Sequence, residues 1–281
     1  MFGPTILVDS LSVPTIEDKF GNTWQYHPRS DRHSKIGCWA IALDLLNTSS
    51  TLQRHVAEGK VVFGVNHEMR DFATGRKKDL DLVLARPAGT SRTGRTLSSL
   101  TDKYGIVLRA DAAAALERLP DPEEADVGAV LVALEAKACM TAHIKSLPRL
   151  YDELNSSHLT VHGASEDALA IAFVMVNLDE EFLSPGLNQF EIATASPDVS
   201  VHVQPKSTER VLQKIAEIPR RTRTGQHGFD GIGIVVIRAR NDGTAMQLVE
   251  TAPAPAPGDL FHYDSMITRM ANEYDVKFRH V

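Results

Sequence analysis

The apolar stretch Ala168–Val176 constrains the fold of this chain more than any other part of the sequence. Its residues, ALAIAFVMV, are apolar at every position instead of alternating with polar ones. A strand that is apolar on both faces is typical of a parallel sheet covered by helices on both sides. The run is also far too short to cross a bilayer, so we expect a central core strand and no membrane partner.

The rest of the chain alternates between helical and strand patterns. Apolar residues recur at helical spacing in the first half of Ser34–Glu58, and the final stretch 259–274 also predicts a helix. Between them, the order of patterned segments is helix, strand, strand, strand, helix, strand, helix, strand. This order predicts an α/β fold with a mixed sheet flanked by helices. The predicted elements are an opening strand at 5–13, strands at 59–65, 75–87, 129–140 and 168–178, helices at 111–119, 141–157 and 207–218, a short strand at 104–110 and a hairpin at 231–250.

The same pattern suggests how the chain is organised. We expect one main domain over residues 1–250, with an excursion at 86–127 between two sheet strands. A stiff Pro/Ala-rich linker follows at 251–258, and the segment 259–281 is helical. Asp111 is the expected N-cap of the helix inside the excursion.

Composition limits the possible functions without choosing one. The net charge of −6 is not typical of a nucleic-acid-binding protein. Basic residues are nevertheless clustered in three loop-like segments, 27–35, 86–95 and 219–228, and such clusters can neutralise DNA phosphates. The two cysteines cannot form a disulfide framework. The N-terminus lacks the basic start of a signal peptide, so we expect a cytoplasmic location.

Two aspartates stand in a segment that otherwise predicts a strand. In Gly75–Pro87 the apolar residues alternate with Asp79 and Asp81, and this two-residue period predicts both carboxylates on one face. Strands disfavour aspartate, and a buried carboxylate is costly unless a partner compensates its charge. A metal ion is the partner that we expect.

A second polar pair stands in the apolar strand at 129–140. Glu135 and Lys137 are two residues apart and therefore lie on the same face, about 7 Å from each other along the strand. If this strand lies beside the aspartate strand, carboxylates and an ammonium group meet in one patch. Oxygen ligands of this kind suit Mg²⁺, which proteins hold with one or two carboxylates together with substrate phosphate.

At these residues the sequence resembles the PD-(D/E)XK nuclease superfamily, the fold of type II restriction endonucleases. Asp81 matches the family's first acid, and Glu135-Ala136-Lys137 matches its E-x-K motif. The resemblance covers roughly Ser34 to Leu178. It implies a restriction-endonuclease-like mixed sheet, with residues 86–127 inserted between the second and third core strands.

The resemblance also implies a function and a set of site residues. The expected function is Mg²⁺-dependent hydrolysis of double-stranded DNA by a homodimer, with Mn²⁺ as a substitute metal and without a nucleotide cofactor. Asp81, Glu135 and Lys137 would be catalytic, and Asp81, Glu135 and Asp79 would bind the metal. The candidate DNA-binding residues are Arg92, Arg95, His143, Lys145, Arg220, Arg221 and Arg223.

Three other interpretations of the sequence stay open. The chain could be a repair or anti-phage nuclease of the same superfamily. It could be a DNA-binding or scaffold protein that keeps the fold without catalysis. It could also be an α/β protein that binds a small acidic ligand.

Overall fold

The chain folds around a six-stranded mixed sheet. A computed structural model describes residues 1–281, apart from the side chain of Arg92, and places the strands in the order β10-β9-β6-β5-β3-β4, with β4 also paired to β5. The predicted α/β architecture is therefore confirmed. The ten strands are β1 Ile16–Glu17, β2 Thr23–Trp24, β3 Val62–Arg70, β4 Lys77–Thr96, β5 Glu123–Cys139, β6 Leu169–Asn177, β7 Glu181–Leu183, β8 Val199–Val201, β9 Gly231–Arg238 and β10 Gln247–Val249.

Strand β6 lies inside the sheet, as its composition predicts. It pairs in parallel with β5 on one side and with β9 on the other, and all of its residues are buried. Burial on both faces is the reason that every position of this strand is apolar, apart from Asn177 at its end. β3 and β4 form an antiparallel hairpin, and β4 runs antiparallel to β5.

Helices cover both faces of the sheet, also as predicted. α1, α2, α3 and α8 pack on one face, and α6 and α7 pack on the other. The eight helices are α1 Gly3–Leu11, α2 Arg32–Thr48, α3 Ser50–Ala57, α4 Leu100–Tyr104, α5 Ala110–Arg118, α6 His143–Ala164, α7 Lys206–Ala216 and α8 Tyr263–Lys277. Among the described residues, none of these helices combines the length and apolarity needed to cross a membrane.

The expected opening strand at 5–13 is wrong, because this segment forms α1. Pro4 stands in the first helical turn, where its missing N–H costs nothing. Asp44 of α2 accepts hydrogen bonds from the amides of Phe2, at 2.9 Å, and Gly3, at 2.8 Å, and so caps the helix from outside it. A cap that comes from a distant element cannot be detected from local sequence.

The expected excursion at 86–127 is smaller than predicted. β4 continues to Thr96 and β5 begins at Glu123, so only the segment with α4 and α5 leaves the sheet. The predicted strand at 104–110 is also wrong, because α4 ends at Tyr104 and the next helix begins at Ala110. Asp111 lies in the first turn of α5 instead of capping it, since Arg109 is the N-cap residue.

Candidate active site

Asp81 lies at an irregular point of the β3–β4 hairpin. Leu80 and Leu82 pack in core clusters on opposite faces of the sheet, so the two-residue alternation is interrupted at Asp81. Opposite it in the register stands Asn66, whose φ of 52° is left-handed. Asparagine tolerates this conformation better than most residues. The expectation that Asp79 and Asp81 share one face therefore fails at this bulge-like site.

The carboxylate of Asp81 points toward β5 and α2. One oxygen accepts a hydrogen bond from the amide of Ala136 at 2.9 Å, and the other accepts one from the hydroxyl of Ser34 at 2.8 Å. Asp79, in contrast, is exposed and lies opposite Glu68 across the hairpin. Of the two aspartates, only Asp81 contacts the strand that carries the E-x-K residues.

Glu135 and Lys137 share one face of β5, as predicted. The ammonium group of Lys137 lies 2.7 Å from Oε1 of Glu135, whose side chain is only 3% exposed. Lys78 of β4 lies 3.3 Å from the same oxygen. The second oxygen of Glu135, Oε2, is buried and has no hydrogen-bond partner among the described residues.

Burial and the ion pair act against each other on the pKa values of Glu135 and Lys137. Burial raises the pKa of Glu135 above its ordinary value; Lys137 counteracts this shift and the charge of Asp81 adds to it. For Lys137, burial favours the neutral amine, but the adjacent Glu135 carboxylate outweighs it and raises the pKa. The lysine is therefore held in its charged form beside a carboxylate that ionises reluctantly.

Lys35 is a site residue that the sequence analysis did not single out. Its side chain is 5% exposed, and its ammonium lies 3.4 Å from Oδ1 of Asp81 and within hydrogen-bonding distance of Asn66 Oδ1. The basic segment 27–35 predicts a loop at this position, but Lys35 belongs to α2. A signal was present, because Lys35 and Asp44 are the only charged residues in the stretch 34–46, which is buried throughout. A charge inside an all-round apolar helix needs a partner.

Glu153 of α6 completes the cluster on the other side. Its carboxylate lies 3.4 Å from the ammonium of Lys137 and 2.6 Å from Arg149 Nε. Burial alone would raise the pKa of Glu153, but Arg149 and Lys137 together lower it. Acidic and basic groups thus alternate across β4, β5, α2 and α6.

A cavity of about 450 Å³ opens onto this cluster. Asp81, Lys137 and Glu153 line it together with Arg29 and Arg149, whereas Glu135 lies behind the lining residues. His33 lies on the same wall, where burial lowers its pKa to about 4, so that the ring is neutral at physiological pH. The cavity is large enough for a nucleotide-sized group.

The residues present fit a divalent cation only in part. Asp81 and the unpartnered Oε2 of Glu135 offer the hard oxygen ligands that Mg²⁺ prefers. Within the described part of the chain, however, no group of three or more His, Cys, Asp or Glu residues is arranged to hold a metal. Two carboxylates with water and substrate oxygens match the way Mg²⁺ is usually bound. Lys35 lies beside Asp81 and Lys137 lies beside Glu135, so these lysines would compete with a metal ion for the carboxylate oxygens.

The expected arginine loop lies away from this cavity. Arg221 is 6% exposed, and its guanidinium binds Asp230 at 2.7 Å and the backbone oxygens of Glu166 and Ala168, just before β6. Arg221 therefore anchors this loop to the sheet, with its guanidinium bonded inside the protein. The loop therefore lies at the amino end of β6, whereas the cavity opens at the carboxyl end of β5 and β6, which run parallel over about 26 Å.

The other predicted DNA contacts are scattered. Arg220 stacks over the ring of Phe261 at 4.8 Å, and Arg223 is exposed. Arg95 pairs with Glu124 at 2.6 Å, at the end of β5 opposite Lys137. The side chain of Arg92 lies outside the described residues.

His143 and Lys145 begin α6, close to the cavity. His143 is 2% exposed, and its Nε2 donates a hydrogen bond to the backbone oxygen of Asn177 at 2.7 Å. Lys145 is exposed and stays a candidate.

No protein-family model matches this chain, and neither a curated protein nor a solved structure matches it.

Proposed function

We propose that the protein is a divalent-metal-dependent endonuclease that hydrolyses the phosphodiester bonds of double-stranded DNA, most like a type II restriction enzyme. The supporting observation is the placement of Asp81 on β4 beside Glu135 and Lys137 on β5. The two strands pair antiparallel in a register that brings Leu82 opposite Leu134, next to both acids. The elements around them follow the order α2, α3, β3, β4, α4, α5, β5, α6, β6; without α3, α4 and α5 this is the helix, three strands, helix and strand of the PD-(D/E)XK nucleases that the sequence resembles.

The chemistry assigns a role to each side chain. Asp81 and Glu135 would hold Mg²⁺ or Mn²⁺, which supplies Lewis acidity and lowers the pKa of a bound water when present. Lys137, charged and at the cavity wall, would orient the attacking water or offset the growing negative charge on the phosphate. Arg29 and Arg149 at the cavity would neutralise neighbouring phosphates.

A homodimer is part of this proposal. One active site per chain cuts one strand, so cleavage of both strands at one place needs two copies related by a two-fold axis. No nucleotide cofactor is required by this chemistry, and a cytoplasmic location is consistent with DNA as the substrate.

Cleavage of a plasmid tests the proposal. The purified chain with Mg²⁺ or Mn²⁺ should convert supercoiled DNA to discrete fragments, and chelation of the metal should stop the reaction. Lys137→Ala should reduce the rate at least about 100-fold, in the range of a lost transition-state contact, while DNA binding in a gel-shift assay is retained. Asp81→Asn should reduce the rate to a similar extent.

Asp79→Asn is the matched control for Asp81→Asn. Both substitutions remove one carboxylate from the same strand, but Asp79 is exposed and lies opposite Glu68 across the hairpin. Cleavage by the Asp79 variant should therefore equal that of the wild type. If variants of Asp81, Glu135 and Lys137 all cleave the plasmid at the wild-type rate, the site assignment is refuted.

One observation favours a second candidate function, a DNA-binding or scaffold protein without catalysis. Asp81 and Glu135 each have a lysine within 3.4 Å, so their charges are compensated without a metal. Under this alternative, the gel-shift assay would show DNA binding, and no divalent metal would produce fragments.

A further inference from the structure

A second cavity, of about 420 Å³, lies at the beginning of α6. The β5–α6 turn forms one wall, and the segment around β8 with the start of α7 forms the other. No aspartate or glutamate is among the described residues that line it, whereas Lys145 is. Its lining residues are Thr141, Ala142, His143, Ile144, Lys145, Ser200, Val201, His202, Val203 and Ser207.

The amino terminus of α6 supplies positive potential to this cavity. α6 is 22 residues long, and in the described structure no side chain caps its first amides and its first turn contains no acidic residue. Unpaired amides and the helix dipole together attract an anion at such an end. The ammonium of the exposed Lys145 adds a full positive charge in the same turn.

A buried histidine gives an independent indication of a ligand. His143 is 2% exposed, and its Nε2 donates a hydrogen bond to the backbone oxygen of Asn177. This bond leaves Nδ1 as the acceptor of a neutral ring, and Nδ1 is buried without any partner in the described structure. Burial lowers the pKa of His143, which keeps the ring neutral. An unpaired buried acceptor is unfavourable, and a hydroxyl group of a bound ligand would remove this cost.

We propose that this cavity binds a phosphate group of a nucleotide or nucleic acid. The phosphate oxygens accept hydrogen bonds from the first amides of α6, from Lys145 and from the hydroxyl of Ser207. A P–OH or a sugar hydroxyl donates to Nδ1 of His143. Val201 and Val203, which are 77% and 71% exposed, offer apolar surface to the attached nucleoside.

The cavity lies beside the candidate active site. Thr141 lines both cavities, and only the turn between β5 and α6 separates them. A nucleic-acid strand that occupies the first cavity would therefore continue toward the start of α6. Binding of phosphate is nevertheless independent of cleavage, so this inference can fail while the proposed nuclease stands, and the reverse.

Isothermal titration of the full chain, in the absence of divalent metal, tests the site. Three ligands are compared: inorganic phosphate, a single-stranded oligonucleotide with a 5′-phosphate, and the same oligonucleotide with a 5′-hydroxyl. We expect saturable binding of phosphate. Lys145→Ala should weaken it about tenfold, the loss of one charge-assisted hydrogen bond, and Ser207→Ala should weaken it less.

The oligonucleotides identify the source of the phosphate. If only the 5′-phosphorylated strand depends on Lys145, the site binds a terminal phosphate. If Lys145→Ala weakens the binding of both oligonucleotides by the same factor, the site binds an internal backbone phosphate. Lys103→Ala, which removes an exposed lysine next to Tyr104 on α4, is the control and should change nothing. The proposal is overturned if phosphate does not saturate, or if Lys145→Ala and Ser207→Ala bind every ligand as the wild type does.

Discussion

At the scale of single residues, the site is a compromise between burial and charge. Glu135 lies almost fully inside the protein, where its charge is poorly solvated, and two lysines offset only part of this cost. Its Oε2 atom has no partner among the described residues. Such an arrangement reduces stability, and perturbed acids of this kind are frequent at functional sites, where their chemistry is needed.

The raised pKa of Glu135 predicts how stability depends on pH. A carboxyl group whose pKa is raised by folding binds its proton more tightly in the folded state. Its stabilising contribution is present below the pKa of the unfolded chain and is lost as the pH rises through the folded pKa. Glu135→Gln removes this loss, because the amide does not ionise.

We therefore expect the free energy of unfolding of Glu135→Gln, relative to the wild type, to increase from pH 4 to pH 7. Urea denaturation of both proteins across this pH range, without metal, measures the difference. A difference that is constant or decreases with pH contradicts the prediction.

At the scale of elements, long-range capping decides the structure of the first residues. α1 has no acidic residue in its first turn and no basic residue in its last turn. Its apolar residues are compatible with a strand as well as a helix. The carboxylate of Asp44 fixes the helical alternative by binding two amides at its start, while it also accepts a hydrogen bond from the hydroxyl of Tyr263 at 3.0 Å. α1, α2 and α8 are thereby joined at one buried point.

Asp44→Ala should lower the free energy of unfolding by about 1.5–3 kcal/mol, the contribution of hydrogen bonds to a charged group. The substitution leaves two buried amides and a phenol without an acceptor. Chemical denaturation measures the loss, and Glu117→Ala on the exposed face of α5 is the control, with a change below about 0.5 kcal/mol. Equal stability of the two variants would show that the cap contributes nothing.

At the scale of the whole molecule, the two ends of the chain meet on one face of the sheet. α8 buries Met266, Ile267 and Met270 in the same core cluster as α1 and α2. The segment 251–258, predicted as a stiff linker, precedes this helix, which packs across β9. Gly231 and Gly233 of β9 leave room for the side chains of Met266 and Met270. The last helix therefore packs as part of the core.

Met266→Ala should lower the free energy of unfolding by about 2–5 kcal/mol, because it leaves a cavity in this core. Met266 is fully buried, whereas Val276 on the same helix is 76% exposed. Val276→Ala should therefore cost less than about 0.5 kcal/mol. Thermal and urea unfolding of both variants, followed by circular dichroism, will distinguish them. Comparable losses in the two would mean that α8 does not pack as described.

The sequence by itself determined those features that depend on neighbouring residues. A short, wholly apolar run favours an inner strand covered by helices on both faces, as β6 is. The same local geometry placed Glu135 and Lys137 on one face of β5, because side chains in a strand alternate strictly. The hairpin of β9 and β10 also followed from its turn residues.

Only the tertiary structure decided what surrounds these residues. The partner of Asp81 is Lys35, 46 positions earlier in the chain, and no local pattern predicts a contact over that separation. The irregular point at Asn66 removed Asp79 from the site, and the direction of the parallel strands placed Arg221 at the opposite end of the sheet. Periodicity fixes which way a side chain points within its element, whereas charge compensation and burial depend on how the elements pack.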